Sequence, residues 1–246
     1  MPKCSRSTFS DSSSDSYESR AATIILEITD FNDAGSLLNR NFKSEWKEIK
    51  GALETMPLHL KASDQAGKQG RPIFDPVGTN EAIKAALTPH GWQRIPIPTE
   101  FDFLGVGVDF GKNGVIAEVQ FSNYPFLLNN TIRSELFFKS KIALTEKATK
   151  IAVIITKAHM FPASNSTLYY EQAVHQLTSL AKYKVFDVPI RLVGLFAERT
   201  GIIPAVWTGY TATRYSRTVE LREGRRFIVS SRRPDGRCVF NMIEET

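Results

Sequence analysis

The sequence has 246 residues and is poor in the residues that form disulfides or bind zinc, with two cysteines and four histidines. Cys4 and Cys238 stand near opposite ends and the histidines share no ligand spacing, so the pattern indicates neither a disulfide framework nor a zinc site. No stretch approaches the roughly 20 apolar residues of a membrane span, and the first residues lack the apolar core of a signal peptide. We therefore expect a soluble, cytoplasmic protein.

Length and charge set further bounds. A chain that is 42% hydrophobic at this length can bury one sizeable core. Its 31 Lys and Arg exceed its 26 Asp and Glu, which permits a polyanionic partner without requiring one. Residues 1–22 are rich in serine and are predicted to be a disordered leader. Residues 219–246 form a basic C-terminal segment, which leaves 23–218 as the main domain.

Apolar patterning predicts an α/β fold. Continuous apolar runs at 151–155 and 188–195 are typical of strands that are buried on both faces. They alternate with helical spacing, and no internal repeat or glycine-rich phosphate loop occurs. We expect a mixed central sheet flanked by helices, followed by a β-rich, basic C-terminal region with many turns beyond Trp207. Helices are predicted across 34–55, 80–87, 130–143 and 167–184.

The segment 108–121 carries the most chemical information. It reads as two strands joined by a glycine-flanked turn, with Asp109 on the first strand. Alternation along the second strand places Glu118 and Gln120 on one face. Two carboxylates brought together in this way can supply part of a Mg²⁺ shell, which suggests metal-assisted phosphodiester hydrolysis. The alternative is that Glu118 and Gln120 are the solvated face of an edge strand and that Asp109 is a turn residue.

Longer strings add a resemblance. A hairpin with carboxylates in an α/β sandwich resembles the PD-(D/E)xK nuclease core, and the strings across 23–218 are similar to the BglII family of type II restriction endonucleases. The strings that carry this resemblance are 56–59 (MPLH), 61–66 (KASDQA), 73–80 (IFDPVGTN), 118–137 (EVQFSNYPFLLNNTIRSELF), 159–171 (HMFPASNSTLYYE) and 186–195 (FDVPIRLVGL).

The resemblance implies a homodimer that binds the palindrome 5′-AGATCT-3′ and cuts after the first A on each strand with Mg²⁺, leaving four-base 5′ overhangs. It also implies a cognate DNA methyltransferase in the same bacterial cell. Asp109 matches the family's metal-binding aspartate and Glu118 its second catalytic acid. The backbone carbonyl of Val119 matches a further metal ligand.

Gln120 matches the glutamine that this family has where the wider nuclease pattern has lysine. An amide does not titrate near neutral pH, so Gln120 can neither act as a general base nor supply positive charge. We expect it to orient the attacking water by hydrogen bonding. Glu118 is then the protein group expected to accept or relay a proton.

Base reading requires donors and acceptors in the major groove, where Asn can pair with adenine and Arg with guanine. Without the resemblance, the polar residues concerned would be interpreted as turn, helix-cap, surface or basic-tail residues. The resemblance places seven of them at or near DNA: Ser122, Asn123, Arg133, Asn165, Ser166, Tyr215 and Arg217.

Three other functions stay open from the residues alone. A repair-type nuclease with the same core would read DNA shape, and a DNA-binding module without activity would fit the missing lysine. Metal dependence separates these, because a pure binder never nicks its site. Glycoside hydrolysis by paired carboxylates is disfavoured by the basic tail.

Overall fold

Two mixed β-sheets organise the residues that the computed structural model describes, which are 24–163, 167–212, 218–231 and 234–243. The first half contains β1 (Ile25–Phe31), α1 (Ala34–Asn41), α2 (Lys43–Thr55), β2 (His59–Ala62), β3 (Pro72–Phe74), α3 (Pro76–Leu87), β4 (Gln93–Pro96), β5 (Gly107–Lys112) and β6 (Val115–Val119). The second contains α4 (Pro125–Ser140), β7 (Ile151–Lys157), α5 (Tyr170–Lys182), β8 (Ile190–Phe196), β9 (Gly201–Tyr210), β10 (Val219–Ser230) and β11 (Val239–Met242).

The central sheet has six strands in the order β1-β8-β7-β6-β5-β4. Strands β6, β7 and β8 are parallel, whereas β1, β5 and β4 pair antiparallel with their neighbours. Every residue of β7 and β8 is buried, as the continuous apolar runs predict. The predicted fold class, a mixed sheet with helices, is confirmed. Because β6 lies inside this sheet, the edge-strand interpretation of Glu118 and Gln120 is wrong.

The second sheet has five strands in the order β11-β10-β9-β2-β3. The prediction of a β-rich C-terminal region is confirmed, but 219–230 is one 12-residue strand and not a turn-rich stretch. Its charged residues obscure the strand pattern, and some find partners on the surface: Arg222 pairs with Glu81 at 2.7 Å. Since β10 pairs along β9, the predicted boundary at 218/219 falls within a single sheet, and the division into domains stays a prediction.

The helix predicted across 34–55 is two helices, and Phe42 separates them. Phe42 has φ −134° and ψ 35°, outside the helical region, and its side chain is buried in the core. The helical spacing of the apolar residues therefore continues through Phe42, although the backbone of Phe42 is not helical. Helix α4 begins at Pro125, earlier than predicted, since proline is favourable in a first helical turn. Among the described residues, none of the helices combines the length and apolarity needed to cross a membrane.

A partly buried ion pair joins β1 to β8. Arg191 donates to both carboxylate oxygens of Asp30 at 2.7 and 2.8 Å, and its guanidinium lies 4.3 Å from the centre of the Trp46 ring. The two charged residues face each other directly in the strand register. Bidentate geometry and the aromatic contact make this pair more stabilising than a surface ion pair.

We predict that Arg191→Met lowers the free energy of unfolding by about 2–3 kcal/mol, because Asp30 loses both donors in a partly buried position. Urea denaturation measures this change. The matched control is Lys50→Met, which breaks the exposed helical pair with Glu54 and is expected to cost less than about 0.5 kcal/mol. Equal effects for the two variants would contradict the prediction.

Candidate active site

A tight hairpin brings the two predicted carboxylates together. The turn between β5 and β6 consists of Asn113 and Gly114, both with positive φ (53° and 88°), as in the primed turns that suit two-residue hairpins. Phe110 pairs with Ala117, which places Asp109 beside the end of β6. The amide of Val119 donates to Asp109 Oδ2 at 2.9 Å. Asp109 is exposed, so its carboxylate is open to a ligand.

Glu118 lies in the opposite environment. It is 4% exposed, and Arg133 of α4 forms an ion pair with its Oε1. Burial raises the pKa of Glu118 to about 8, with Arg133 pulling in the other direction and Asp109 adding to the rise. A metal cation bound nearby would stabilise the ionised form of this carboxyl group, which burial disfavours.

The donor set fits a hard divalent cation. Asp109 and Glu118 could supply carboxylate oxygens and Val119 a carbonyl oxygen, which are the donors that Mg²⁺ prefers. Among the described residues no cluster of three or more His, Cys, Asp or Glu side chains is present. The rest of an octahedral shell would therefore come from water and substrate oxygens.

Arg133 is anchored by several contacts at once. Besides Glu118, its guanidinium donates to the Gly107 carbonyl at 3.1 Å and to Asn130 Oδ1 at 3.2 Å. The residue is 7% exposed. In the structure it therefore faces the β5–β6 hairpin, and the predicted contact of Arg133 with DNA stays a prediction.

Gln120 is also held in place. Its backbone amide donates to Ile155 O at 2.8 Å, and its side-chain nitrogen donates to Ser122 Oγ at 2.8 Å. Asn130 donates to Gln120 Oε1 at 3.4 Å. A hydrogen-bonded chain thus runs from Glu118 through Arg133, Asn130 and Gln120 to Ser122. Sequence reasoning missed Asn130, although its position three residues before Arg133 puts both on one face of α4.

A cavity of about 390 Å³ adjoins Asp109 and Val119. Two cationic residues line it, Lys84 from α3 and Arg94 from β4, together with Asn80. Positive charge beside the carboxylates suits a site for an anionic phosphate. Sequence reasoning missed Lys84 and Arg94, because only the folded chain brings them to this cavity: the pairing of β4 with β5 places Arg94 beside the hairpin, and Lys84 lines the cavity from α3.

Ser122 and Asn123 are exposed and lie just after β6, from which Gln120 and Phe121 separate them. They lie beside the stretch 167–168, since Asn123 forms a β-bridge with Thr167 and the amide of Leu168 donates to Ser122 O at 2.8 Å. The structure thus brings the predicted base-reading segments into contact. Four other predicted DNA-binding residues lie outside the described residues: Asn165, Ser166, Tyr215 and Arg217.

A family model described as restriction endonuclease BglII/BglIII matches residues 26–195. The chain belongs to this family. It is therefore a restriction endonuclease, a site-specific deoxyribonuclease, and the predicted resemblance is confirmed. The type II restriction enzyme BglII of Bacillus subtilis is 60% identical over 199 residues, which cover 80% of this chain and 88% of that enzyme.

Two solved structures of BglII also match. The enzyme complexed with a DNA 16-mer has 55% sequence identity and a TM-score of 0.85. The free enzyme has 51% identity and a TM-score of 0.69. Each match covers 89% of this chain and 100% of the solved chain. The fold described above is therefore more similar to the DNA complex than to the free enzyme.

We predict that Arg133→Met lowers the cleavage rate on the order of 100-fold, because it removes the cation that holds Glu118 and the donor that fixes Asn130. It should also cost about 3 kcal/mol of stability, since a buried carboxyl loses its partner. Single-turnover cleavage and urea denaturation measure the two effects. Lys139→Met changes an exposed cation on the same helix and should leave cleavage unchanged. A wild-type cleavage rate in Arg133→Met would refute the role of this pair.

Proposed function

We propose that this chain is a homodimeric, Mg²⁺-dependent type II restriction endonuclease that cleaves 5′-AGATCT-3′ after the first A of each strand and leaves four-base 5′ overhangs. The observation that carries the proposal is the pairing of an open Asp109 with a buried, cation-seeking Glu118 across one hairpin, in a chain of this family. When bound, Mg²⁺ would activate a water molecule and screen charge on the phosphate.

Asp109, Glu118 and the Val119 carbonyl would hold the ion. Glu118 is the buried carboxyl group beside this site, and we assign to it the acceptance or relay of a proton. The side-chain amide of Gln120 donates to Ser122 Oγ and, at 3.5 Å, to Asn123 O, and it accepts from Asn130, which leaves one lone pair on its Oε1 to accept a hydrogen bond from water. That capacity is what is needed to orient a water molecule for in-line attack.

Lys84 and Arg94 supply the positive charge that Gln120 cannot. Both line the cavity beside Asp109, where a phosphate oxygen of the substrate would be placed. These two exposed cations would stabilise the charge that develops on the pentacovalent phosphate. In this proposal Gln120 orients the water molecule, whereas Lys84 and Arg94 neutralise charge on the phosphate.

Base recognition is assigned to Ser122, Asn123, Asn165 and Ser166, with Tyr215 and Arg217 at the phosphates or the minor groove. The exposure of Ser122 and Asn123 just after β6 supports this assignment. Arg133 would reach DNA only by exchanging its present contacts. A methyltransferase that modifies the same palindrome in the same bacterial cytoplasm would protect the host DNA.

Homodimerisation is supported by an apolar stripe on α4. Tyr124, Leu128 and Ile132 recur at four-residue spacing and are 48%, 41% and 53% exposed. A second copy related by a two-fold axis would cover this stripe and place one active site on each strand of a palindrome. We refer to Tyr124, Leu128 and Ile132 as the α4 stripe.

We predict that the purified protein cuts plasmid DNA in Mg²⁺ and that sequencing of the ends shows breaks only within AGATCT. Asp109→Ala should reduce cleavage on the order of 1000-fold, because several kcal/mol of metal-dependent stabilisation are lost. Asp187→Ala, at an exposed carboxylate far along the chain, is the matched control. EDTA should abolish cleavage by all three proteins.

Three outcomes would contradict the proposal. Site-specific binding in Ca²⁺ without cleavage in any divalent metal would indicate a binding protein. Cleavage at branched or damaged DNA without sequence preference would indicate a repair-type enzyme. Cuts at a different palindrome would retain the reaction and reject the proposed sequence.

We predict that Leu128→Glu combined with Ile132→Glu converts the dimer to a monomer, because two charges would have to be buried in the interface. Sedimentation velocity measures the mass. Val185→Glu changes an apolar residue that is 52% exposed elsewhere on the surface and should leave the dimer intact. A wild-type protein that sediments as a monomer, or a double variant that stays dimeric, would rule out this interface.

A further inference from the structure

Lys157, the last residue of β7, is a lysine buried in the core. It is 1% exposed, and its Nζ donates to two backbone carbonyls, Phe121 O at 2.9 Å and Leu168 O at 3.1 Å. Among the residues that the structure describes, it forms no ion pair with a carboxylate. A buried ammonium group without such a pair is costly, so its retention calls for an explanation.

Aromatic rings surround the amine. Nζ lies 5.0 Å from the centre of the Tyr169 ring, 5.7 Å from that of Phe74 and 6.0 Å from that of Phe121. Ring faces attract a cation and offset part of the cost of burial. Burial nevertheless lowers the pKa of Lys157 to about 7, and the nearby charge of Arg237 adds to this effect. Both protonation states keep at least two N–H donors, enough for the two carbonyls.

The strand register excludes Lys157 as a displaced catalytic lysine. Val119 pairs with Ile155 in the parallel β6–β7 ladder, so Lys157 is in phase with Phe121. Side chains alternate between faces, which puts Lys157 on the face of the sheet opposite to Glu118 and Gln120. The amine therefore acts through the backbone that it contacts.

The two carbonyls belong to segments that are distant in sequence. Phe121 directly precedes Ser122 and Asn123, and Leu168 follows residues 164–167. The same two segments also contact each other through the bond from the Leu168 amide to Ser122 O and the Asn123–Thr167 bridge. The Lys157 side chain lies between the two segments and donates to a backbone carbonyl of each.

The entry to the second segment is anchored separately. The amide of Phe74 donates to Pro162 O at 2.8 Å, and the amide of Cys238 donates to Met160 O at 2.8 Å. Arg237 lies 5.3 Å from the centre of the Tyr169 ring. Residues on both sides of 164–166 are therefore fixed to the core, and Lys157 provides the anchor that also contacts Phe121, two residues after β6.

We propose that Lys157 is a positioning residue for sequence discrimination, which fixes the segment after the catalytic strand relative to the segment after residue 166, so that base recognition and cleavage are coupled. This inference rests on the proposed function for its kinetic consequence. Its structural part, a link between the two segments, is independent of the sequence that is cut.

Lys157→Met tests the kinetic part, because methionine fills the space of the stem without donating to the carbonyls. Single-turnover rates are measured on duplexes with AGATCT and with one base pair changed. We expect the ratio of the two rates to fall at least 10-fold. Lys182→Met, at an exposed lysine of α5, is the control and should leave both rates unchanged. A merely structural role would lower both rates by the same factor and keep the ratio, which would overturn the proposal.

Hydrogen–deuterium exchange tests the structural part without DNA. In Lys157→Met, amides of 121–123 and 167–169 should exchange at least 10-fold faster, while those of β8 exchange as in the wild type. Unchanged exchange would overturn the link between segments. Wild-type protein that fails to cut AGATCT would reject the proposed function alone, because the exchange result would still decide the role of Lys157.

A second variant, Lys157→Gln, covers the case in which Lys157→Met does not fold. The glutamine side chain is shorter but keeps N–H donors. We therefore expect its rate ratio and its exchange rates to lie between those of the wild type and those of a variant without donors. Wild-type values for both readouts in Lys157→Gln, or a global loss of protection that includes β8, would reject a local positioning role.

Stability as a function of pH gives an independent readout. The unfolded lysine has its ordinary pKa of 10.5 and the folded one a pKa of about 7, so the unfolded state binds more protons between these values. The stability of the wild type relative to Lys157→Met should therefore rise with pH across this window and level off above it. Arg237 is the charged side chain that lies beside the amine. A flat difference would show that Lys157 stays charged in the fold.

Discussion

The ion pair between Arg133 and Glu118 is the interaction on which the arrangement of the β5–β6 hairpin depends. Both side chains are buried, and desolvation of two charges is favourable only when further hydrogen bonds complete the geometry. Asn130 and the Gly107 carbonyl supply those bonds. One cation therefore ties α4 to both strands of the hairpin and fixes, through Asn130, the orientation of the Gln120 amide. The site is therefore preorganised by a buried hydrogen-bond network, and the desolvation of its polar groups costs free energy.

Much of the hairpin could be predicted from sequence because its determinants are local. Asn113 and Gly114 select the turn, and alternation then places Glu118 and Gln120 on one face. The burial of Glu118 could not be predicted, because it depends on β7 and α4, which pair and pack from later in the chain. The same holds for Lys84 and Arg94. Their approach to Asp109 is a product of strand pairing that no short motif encodes.

Errors in the secondary structure have a similar origin. Continuous apolar runs predict β7 and β8 correctly, because a strand that is buried on both faces has apolar residues at nearly every position. The helix across 34–55 was predicted as one element, since periodicity does not report the backbone angles of a single buried residue such as Phe42. Strand β10 was missed because its surface is charged, and a strand with exposed arginines resembles a tail until its partner β9 is known.

Helix α4 presents two surfaces with different tasks. The residues of the α4 stripe are exposed, whereas Asn130 and Arg133 are buried and face the hairpin. Both groups of residues belong to the same helix. A rotation of the helix about its axis would therefore shift the proposed dimer interface and the guanidinium of Arg133 together. In the proposed dimer, assembly would regulate chemistry: at low abundance, unpaired subunits would be poorly aligned for cutting, and double-strand cleavage would rise more steeply than protein concentration. The first copies made in a cell would then be the least dangerous to its own DNA.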